Sequence, residues 1–258
     1  MKVTKLVTTL ALALALVAPL TVGTVKPAHA MDLTPTAEFD LTFASKYVWR
    51  GIVVVDDWVA QPSVTAGVAG FSVNVWGDFM LTDENDRKNE FDEIDITLDY
   101  TYDLADFGLS AGLVNYSFPN GVASTTELYA AVAYNWIVTP SLKLYWDVQE
   151  AHGLYLIGSL DWGMDLFKPN DLLTFGVAAS ASMAYSNSDH NVFYYGVDEA
   201  GFADALLSLS LPVGIGDHFS ITPGVYWSML VDEDIRNSMD PVQDDNNVYF
   251  GISFTASF

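Results

Sequence analysis

From about residue 36 to the final Phe258 the chain alternates between apolar and polar positions. The closing stretch "VYFGISFTASF" sets Val248, Phe250, Ile252, Phe254, Ala256 and Phe258 on one face, and Tyr249, Gly251, Ser253, Thr255 and Ser257 on the other. A period of two is that of a strand with one apolar and one polar face. "DEIDITLDYTYD" at 92–103 repeats the pattern, with Ile94, Ile96, Leu98, Tyr100 and Tyr102 against Glu93, Asp95, Thr97, Asp99 and Thr101. "FSVNVWGDFML" and "LYLIGSLDWGMDLF" do the same, and helical spacing fits none of them. Twelve strands are expected, near 36–50, 59–69, 71–81, 92–103, 106–117, 124–137, 141–151, 153–167, 172–185, 202–213, 218–230 and 247–258. Each is at least as long as the ~9–11 residues with which a tilted strand crosses a bilayer.

The connections carry as much information as the strands. "GF", "LADF", "VTPS", "FKPND" and "GIGDH" are short and rich in Gly, Pro or Asp. They alternate with "GIVVVDDW", "TDENDRKNE", "PNGVAS", a tight "AHG", and the long "SNSDHNVFYYGVDEAG" and "VDEDIRNSMDPVQDDN". Short turns at one end and longer loops at the other describe an all-β, transmembrane, antiparallel up-and-down β-barrel of about twelve strands in the bacterial outer membrane. Both termini then lie on the periplasmic side. A secreted β-sandwich also has short alternating strands, but its polar face need not be so consistently acidic. Tyr47, Trp49, Trp58, Tyr102, Trp136, Trp146, Trp162, Tyr185 and Trp227 fall near strand ends, as interfacial aromatic girdles do. Pro62 and Pro212 are expected at strand ends, and Pro223 at a bulge or a local break in pairing.

Composition adds the compartment and excludes some partners. Lys2 and Lys5 precede the apolar run "LVTTLALALALVAPL", which leads to "AHA" at 28–30. This is the layout of a secretory signal peptide, so 1–30 is read as the signal and 31–258 as the barrel. Of ten Lys and Arg residues, three belong to the signal. Seven then face thirty-three Asp and Glu, a formal charge of −26 on the mature chain. Such a chain is not a nucleic-acid binder, because phosphate binding needs the opposite sign. There is no cysteine, and 51% of residues are hydrophobic. An exported protein without disulfides must be stabilised in some other way.

"SKYVWRG" (Ser45, Tyr47, Arg50, Gly51) resembles the S-x-Y-x-x-R-G opening of the TorF-like porin family. "NYSFPN" with "TELYAAV" (Tyr116, Phe118, Pro119, Glu127, Tyr129) is similar to its aromatic-Pro turn and Glu-x-Tyr strand. The likeness covers the first half of the mature chain, and "DDWVAQPSV" departs from the family's spacing. It implies an exported barrel of this length and names no solute. A final Phe258 also resembles the terminal signal read by the barrel assembly machinery.

If the apolar faces meet lipid, the opposite faces define a lumen. On this assignment it holds Asp40, Lys46, Arg50, Asp78, Glu93, Asp95, Asp99, Glu127, Lys143, Asp147, Asp161, Asp165 and Asp204. Ten acids and three bases require a wet lumen, since burying that many like charges dry is prohibitive. Arg50 and Lys46 either face the acids across the pore and orient a dipolar solute, or neutralise Asp40, Glu127 or their neighbours in a network that plugs it. Arg50 and Glu127 are the lumen residues singled out, because face and family motif coincide there.

The acidic loops lack the EF-hand order of ligands, so no metal or cofactor is expected. Catalysis is not expected either. His218-Phe219-Ser220 lies at a turn, and Asp189-His190 is the one pair that a rim hydrolase could use. A loop histidine is taken as a surface residue. The chain therefore reads as a porin-like channel with a narrow acidic lumen, passing small solutes or cations by passive diffusion. The alternative is a plugged barrel serving as a structural or binding platform through its acidic loops. Its partners are outer-membrane lipid and lipopolysaccharide, and "AASASMA" within 172–185 is only a faint hint of contact between copies.

Overall fold

The computed structural model describes residues 33–119, 121, 123–240 and 242–258. The signal segment 1–30 lies outside the described residues. The elements are β1 (Thr36–Ala44), β2 (Tyr47–Trp49), β3 (Ile52–Val55), β4 (Val59–Val68), β5 (Phe71–Met80), β6 (Phe91–Leu104), β7 (Phe107–Ser117), β8 (Thr125–Tyr134) and β9 (Thr139–Asp147). After them come β10 (Leu154–Phe167), β11 (Leu173–Ser186), α1 (Ser188–Tyr195), β12 (Gly201–Ser210), β13 (Val213–Ile215), β14 (Phe219–Leu230), α2 (Glu233–Met239) and β15 (Asn246–Ser257).

Each barrel strand pairs antiparallel with its neighbours in sequence, and β1 pairs with β15, so the sheet closes. At the seam Phe39 faces Ala256 and Leu41 faces Phe254. Beyond it, Ala37 and Phe258 exchange both backbone hydrogen bonds, at 3.0 and 2.8 Å. This exchange is what holds the apolar C-terminus. An unpaired edge in hydrocarbon would leave each backbone group at a cost of several kcal/mol. β12 and β13 together form one strand, so the barrel has twelve.

The period-two reading sorts the faces correctly along these strands. Val73, Val75, Ile96, Leu98, Leu142 and Leu144 are exposed on the outside, whereas Asp78, Glu93, Asp95 and Lys143 are buried inside. Trp58, Trp136, Trp146 and Trp227 stand exposed near strand ends, in the place of a girdle.

Three expectations change. The first strand stops at Ala44 and does not continue to Arg50. The Ser45 hydroxyl there accepts a hydrogen bond from the Phe250 N–H at 3.0 Å, and the chain leaves the wall. Residues 47–55 then form a β2–β3 hairpin inside the barrel. Tyr47 and Trp49 are thus not girdle residues. They are buried with Val48, Val55, Tyr226 and Tyr249 in a core cluster, because both faces of this segment are apolar.

Pro62 lies within β4, not at its end. Pairing with β5 lapses at Gln61–Pro62, opposite Gly77–Asp78, and resumes in register. Pro223 breaks pairing on one edge only. β14 pairs with β15 through Pro223 without a shift, and its other ladder lapses at Leu211–Pro212, which divides β12 from β13.

A charge on the outer face should be costly at mid-strand. Leu98→Arg is expected to lower the unfolding free energy by about 2–4 kcal/mol, as measured by denaturant unfolding from phospholipid vesicles.

Candidate functional site

The hairpin turns on two residues. Trp49 pairs with Ile52, and Arg50 and Gly51 between them have φ of 48° and 79°. Positive φ at both central positions is the geometry of a type I′ turn, which favours Gly second. A Cβ at Gly51 would also lie 2.5 Å from Leu230 Cδ2. The turn carries the Arg50 side chain across the lumen to β8.

Arg50 Nη1 donates to Glu127 Oε1 at 2.8 Å and Nη2 to Oε2 at 2.6 Å, a fork-to-fork pair with both residues buried. The Tyr116 hydroxyl donates to the same Oε2 at 2.8 Å. The guanidinium lies 4.4, 5.0 and 4.1 Å from the ring centroids of Trp49, Tyr145 and Tyr155. Tyr155 in turn donates to Asp204 at 2.8 Å.

The loops between β11 and β12 and between β14 and β15 lock the hairpin from above. Asn187 caps α1 by accepting from the His190 N–H, and Gly196 ends it at φ 72°. Inside α1, His190 is fully buried, its ring 5.2 Å from that of Tyr155. Arg50 Nη1 lies 3.1 Å from His190 Nε2. Arginine only donates, so Nε2 accepts and the ring proton sits on Nδ1. The Tyr195 hydroxyl donates to the Arg50 carbonyl at 2.8 Å. Gln243, after α2, donates to the Gly51 carbonyl at 2.7 Å and accepts from the Val53 N–H at 2.8 Å. The tight "AHG" follows from the same packing: a Cβ on Gly153 would stand 2.5 Å from the His190 backbone.

The candidate lumen residues fall into two zones. At the loop end, Asp78, Glu93, Asp95, Glu127, Asp147 and Asp204 are all buried against or beside the hairpin. Tyr47 donates to Glu93 at 2.8 Å, Gln61 to Asp78 at 3.0 Å and Thr125 to Asp147 at 2.7 Å. Both oxygens of Asp95 and Oδ2 of Asp78 are buried without a hydrogen-bond partner among the described residues. The space left beside Arg50, Tyr145, Tyr155 and Asp204 is about 30 Å³, room for about two waters.

At the turn end the picture reverses. Asp40, Asp99, Asp161 and Asp165 are only half-buried, and Thr255, Thr101 and Ser159 donate to the first three at 2.6, 2.7 and 2.8 Å. Here half-buried carboxylates and hydroxyl side chains stand together. Lys143 stands between the zones, at the level of Tyr129 and Tyr145.

Lys46 is on neither wall. It pairs with Asp56 across the base of the hairpin, and neither Asp40 nor Glu127 is its partner. His190 is not the surface loop residue expected from the sequence; it belongs to the core of the plug. Asn187 as a cap, the aromatic run after it and Gly196 together mark a short helix in that loop, and this was the signal available for it. Nothing local in the sequence marks Tyr155 or Gln243.

No protein-family model matches the chain and no curated protein does, so the TorF-like resemblance rests on its motifs. Solved structures do share the fold. The KdgM porin is 12% identical with a TM-score of 0.54, over 86% of this chain and 99% of that chain. LpxR from Salmonella typhimurium is 8% identical with a TM-score of 0.51, over 85% and 99%. At these identities the likeness is one of fold.

Two outcomes follow from the Arg50 cluster. Glu127→Ala should cost about 3–5 kcal/mol because it leaves a buried guanidinium unpaired, whereas the double change Arg50→Met with Glu127→Leu should cost far less; denaturant unfolding of both variants checks this. The second concerns acid. Burial, with Arg50 beside it as the smaller cause, holds the His190 imidazole well below its ordinary 6.5. An undocked His190 takes up a proton near pH 6.5 and the docked ring refuses it. Docking of α1 is therefore full above that pH and weakens about tenfold per unit as pH falls below it. Proteolysis of the 187–200 loop should accelerate accordingly in the native chain and stay flat with pH in His190→Gln.

Proposed function

We propose that this chain is a porin-like channel of the bacterial outer membrane, shut at its loop end in this conformation by the β2–β3 hairpin. The observation that carries the reading is the division of one closed barrel into a sealed half and a half-exposed acidic half. Termini and short turns lie at the same end as the half-exposed acids, which supports a periplasmic position for that end and an external one, beside lipopolysaccharide, for the long loops. Asp40, Asp99, Asp161 and Asp165 would favour cations or small solutes carrying positive charge. Passage requires the hairpin to swing from Glu127. The terminal Phe258 would serve as the signal to the assembly machinery.

The tight fit around Arg50 supports a second reading, a permanently plugged barrel that works as a platform through its acidic loops. Planar-bilayer recording under a salt gradient separates the two. The native chain is expected to pass little current. A variant with residues 46–57 replaced by a short Gly-Ser linker should pass a steady cation-selective current, and its selectivity should fall when Asp99 and Asp161 become Asn. A folded linker variant that passes no current would overturn the channel reading in favour of the platform.

A further inference from the structure

The one base at the boundary between the plug and the half-buried acids is not used by the plug. Lys143 projects inward from β9 and is only 3% exposed. Its ammonium lies 3.9 Å from the Tyr129 ring centroid and 4.8 Å from that of Tyr145. Among the described residues it has no hydrogen-bond or ion-pair partner. Nor is Nζ one of the polar atoms fully sealed from solvent without a partner. Ring faces attract a cation but accept none of its three N–H bonds. A buried ammonium left this way is costly unless something brings it an acceptor.

The surrounding groups define what that something is. The Arg50 guanidinium carbon lies 5.0 Å from the same Tyr145 ring. Asp99 and Glu127 are the acids whose fields act on Lys143. Neither forms an ion pair with it among the described residues. The Tyr129 hydroxyl donates to Asp99 Oδ2 at 2.6 Å and Thr101 to Oδ1 at 2.7 Å. Tyr129 itself has little freedom. It lies over Gly112 on β7, where a Cβ would come within 2.6 Å of the phenol oxygen, so the absent side chain is what admits the ring. A positive and a negative group thereby both contact one fixed aromatic ring, the first over its face and the second at its hydroxyl, and Ser141, Ser159 and Asp161 are half-buried nearby on β9 and β10.

We propose that Lys143 and Asp99 form a subsite for a small zwitterion with a carboxylate at one end and an ammonium at the other. The carboxylate accepts from the Lys143 ammonium, and the ammonium lies toward Asp99 across the face of Tyr129. A simple anion would have to pass the half-buried acids, and a simple cation would meet Lys143; a zwitterion satisfies both groups. The assignment deepens the channel reading by naming the class of solute at its inner site, and it rests on that reading for its role in transport.

The test is binding, not current. γ-Aminobutyrate, butyrate and butylamine share one short carbon chain and differ in which charged ends they carry. Saturation-transfer NMR on the refolded mature chain in detergent should show saturable binding of γ-aminobutyrate, with butyrate and butylamine at least tenfold weaker. Lys143→Met and Asp99→Asn should each weaken γ-aminobutyrate at least tenfold. Equal affinity for the three compounds on the native chain, or no binding of γ-aminobutyrate, would overturn the proposal without need of any variant. So would undiminished binding in both folded variants. A barrel that binds but never conducts would remove the channel reading and keep the site, whereas one that conducts without binding would remove the site alone.

Discussion

The ladder between β1 and β15 is the constraint on which the rest depends. Hydrocarbon offers no partner to a backbone N–H or C=O, so a spanning sheet must close on itself. Closure fixes twelve strands in one ring, and through the pleat it fixes which side chain of each residue pair faces inward. The acids of β5, β6, β8, β9 and β12 share a lumen only because the first and last strands find each other across the whole length of the chain.

A ring of that size encloses more space than its wall side chains fill, and here the first loop fills it. The segment 47–55 is apolar on both faces and has no favourable place either in water or on the wall. Folding inward buries it, and the two-residue Arg50–Gly51 turn brings a charge with it. That charge is tolerable because Glu127 meets it bidentately and three aromatic rings surround it. The pair is better regarded as the device that sets where the hairpin docks than as a source of stability, since desolvation offsets much of its attraction. α1 and Gln243 then build on the docked hairpin, and His190 Nε2 in particular takes its hydrogen bond from Arg50.

Most of the barrel was legible in the sequence. Alternation located the twelve wall strands to within a few residues, and it put Asp78, Glu93, Asp95, Asp99, Glu127 and Lys143 on the inner face. It failed at Ser45–Arg50, where the consecutive apolar residues Tyr47, Val48 and Trp49 left the wall; periodicity records two faces and says nothing of what each face touches. Tyr47 and Trp49 were read as girdle aromatics for the same reason. Arg50 and Glu127 stood out one by one, through inward face and motif, but their 77-residue separation hides that they meet until the barrel is closed.

The sequence by itself determined the architecture, because strand period, strand length and turn chemistry are local quantities, and lipid leaves only one way to satisfy the backbone of such strands. It also put many of its carboxylates at inward positions of the alternating strands. Only the tertiary structure decided how those charges are divided. Glu127 is buried against Arg50 and Asp99 is half-buried, although both come from inward positions of alternating strands, β8 and β6. The difference is the inward hairpin, whose position depends on contacts with β8, β10, α1 and Gln243 that no local pattern encodes.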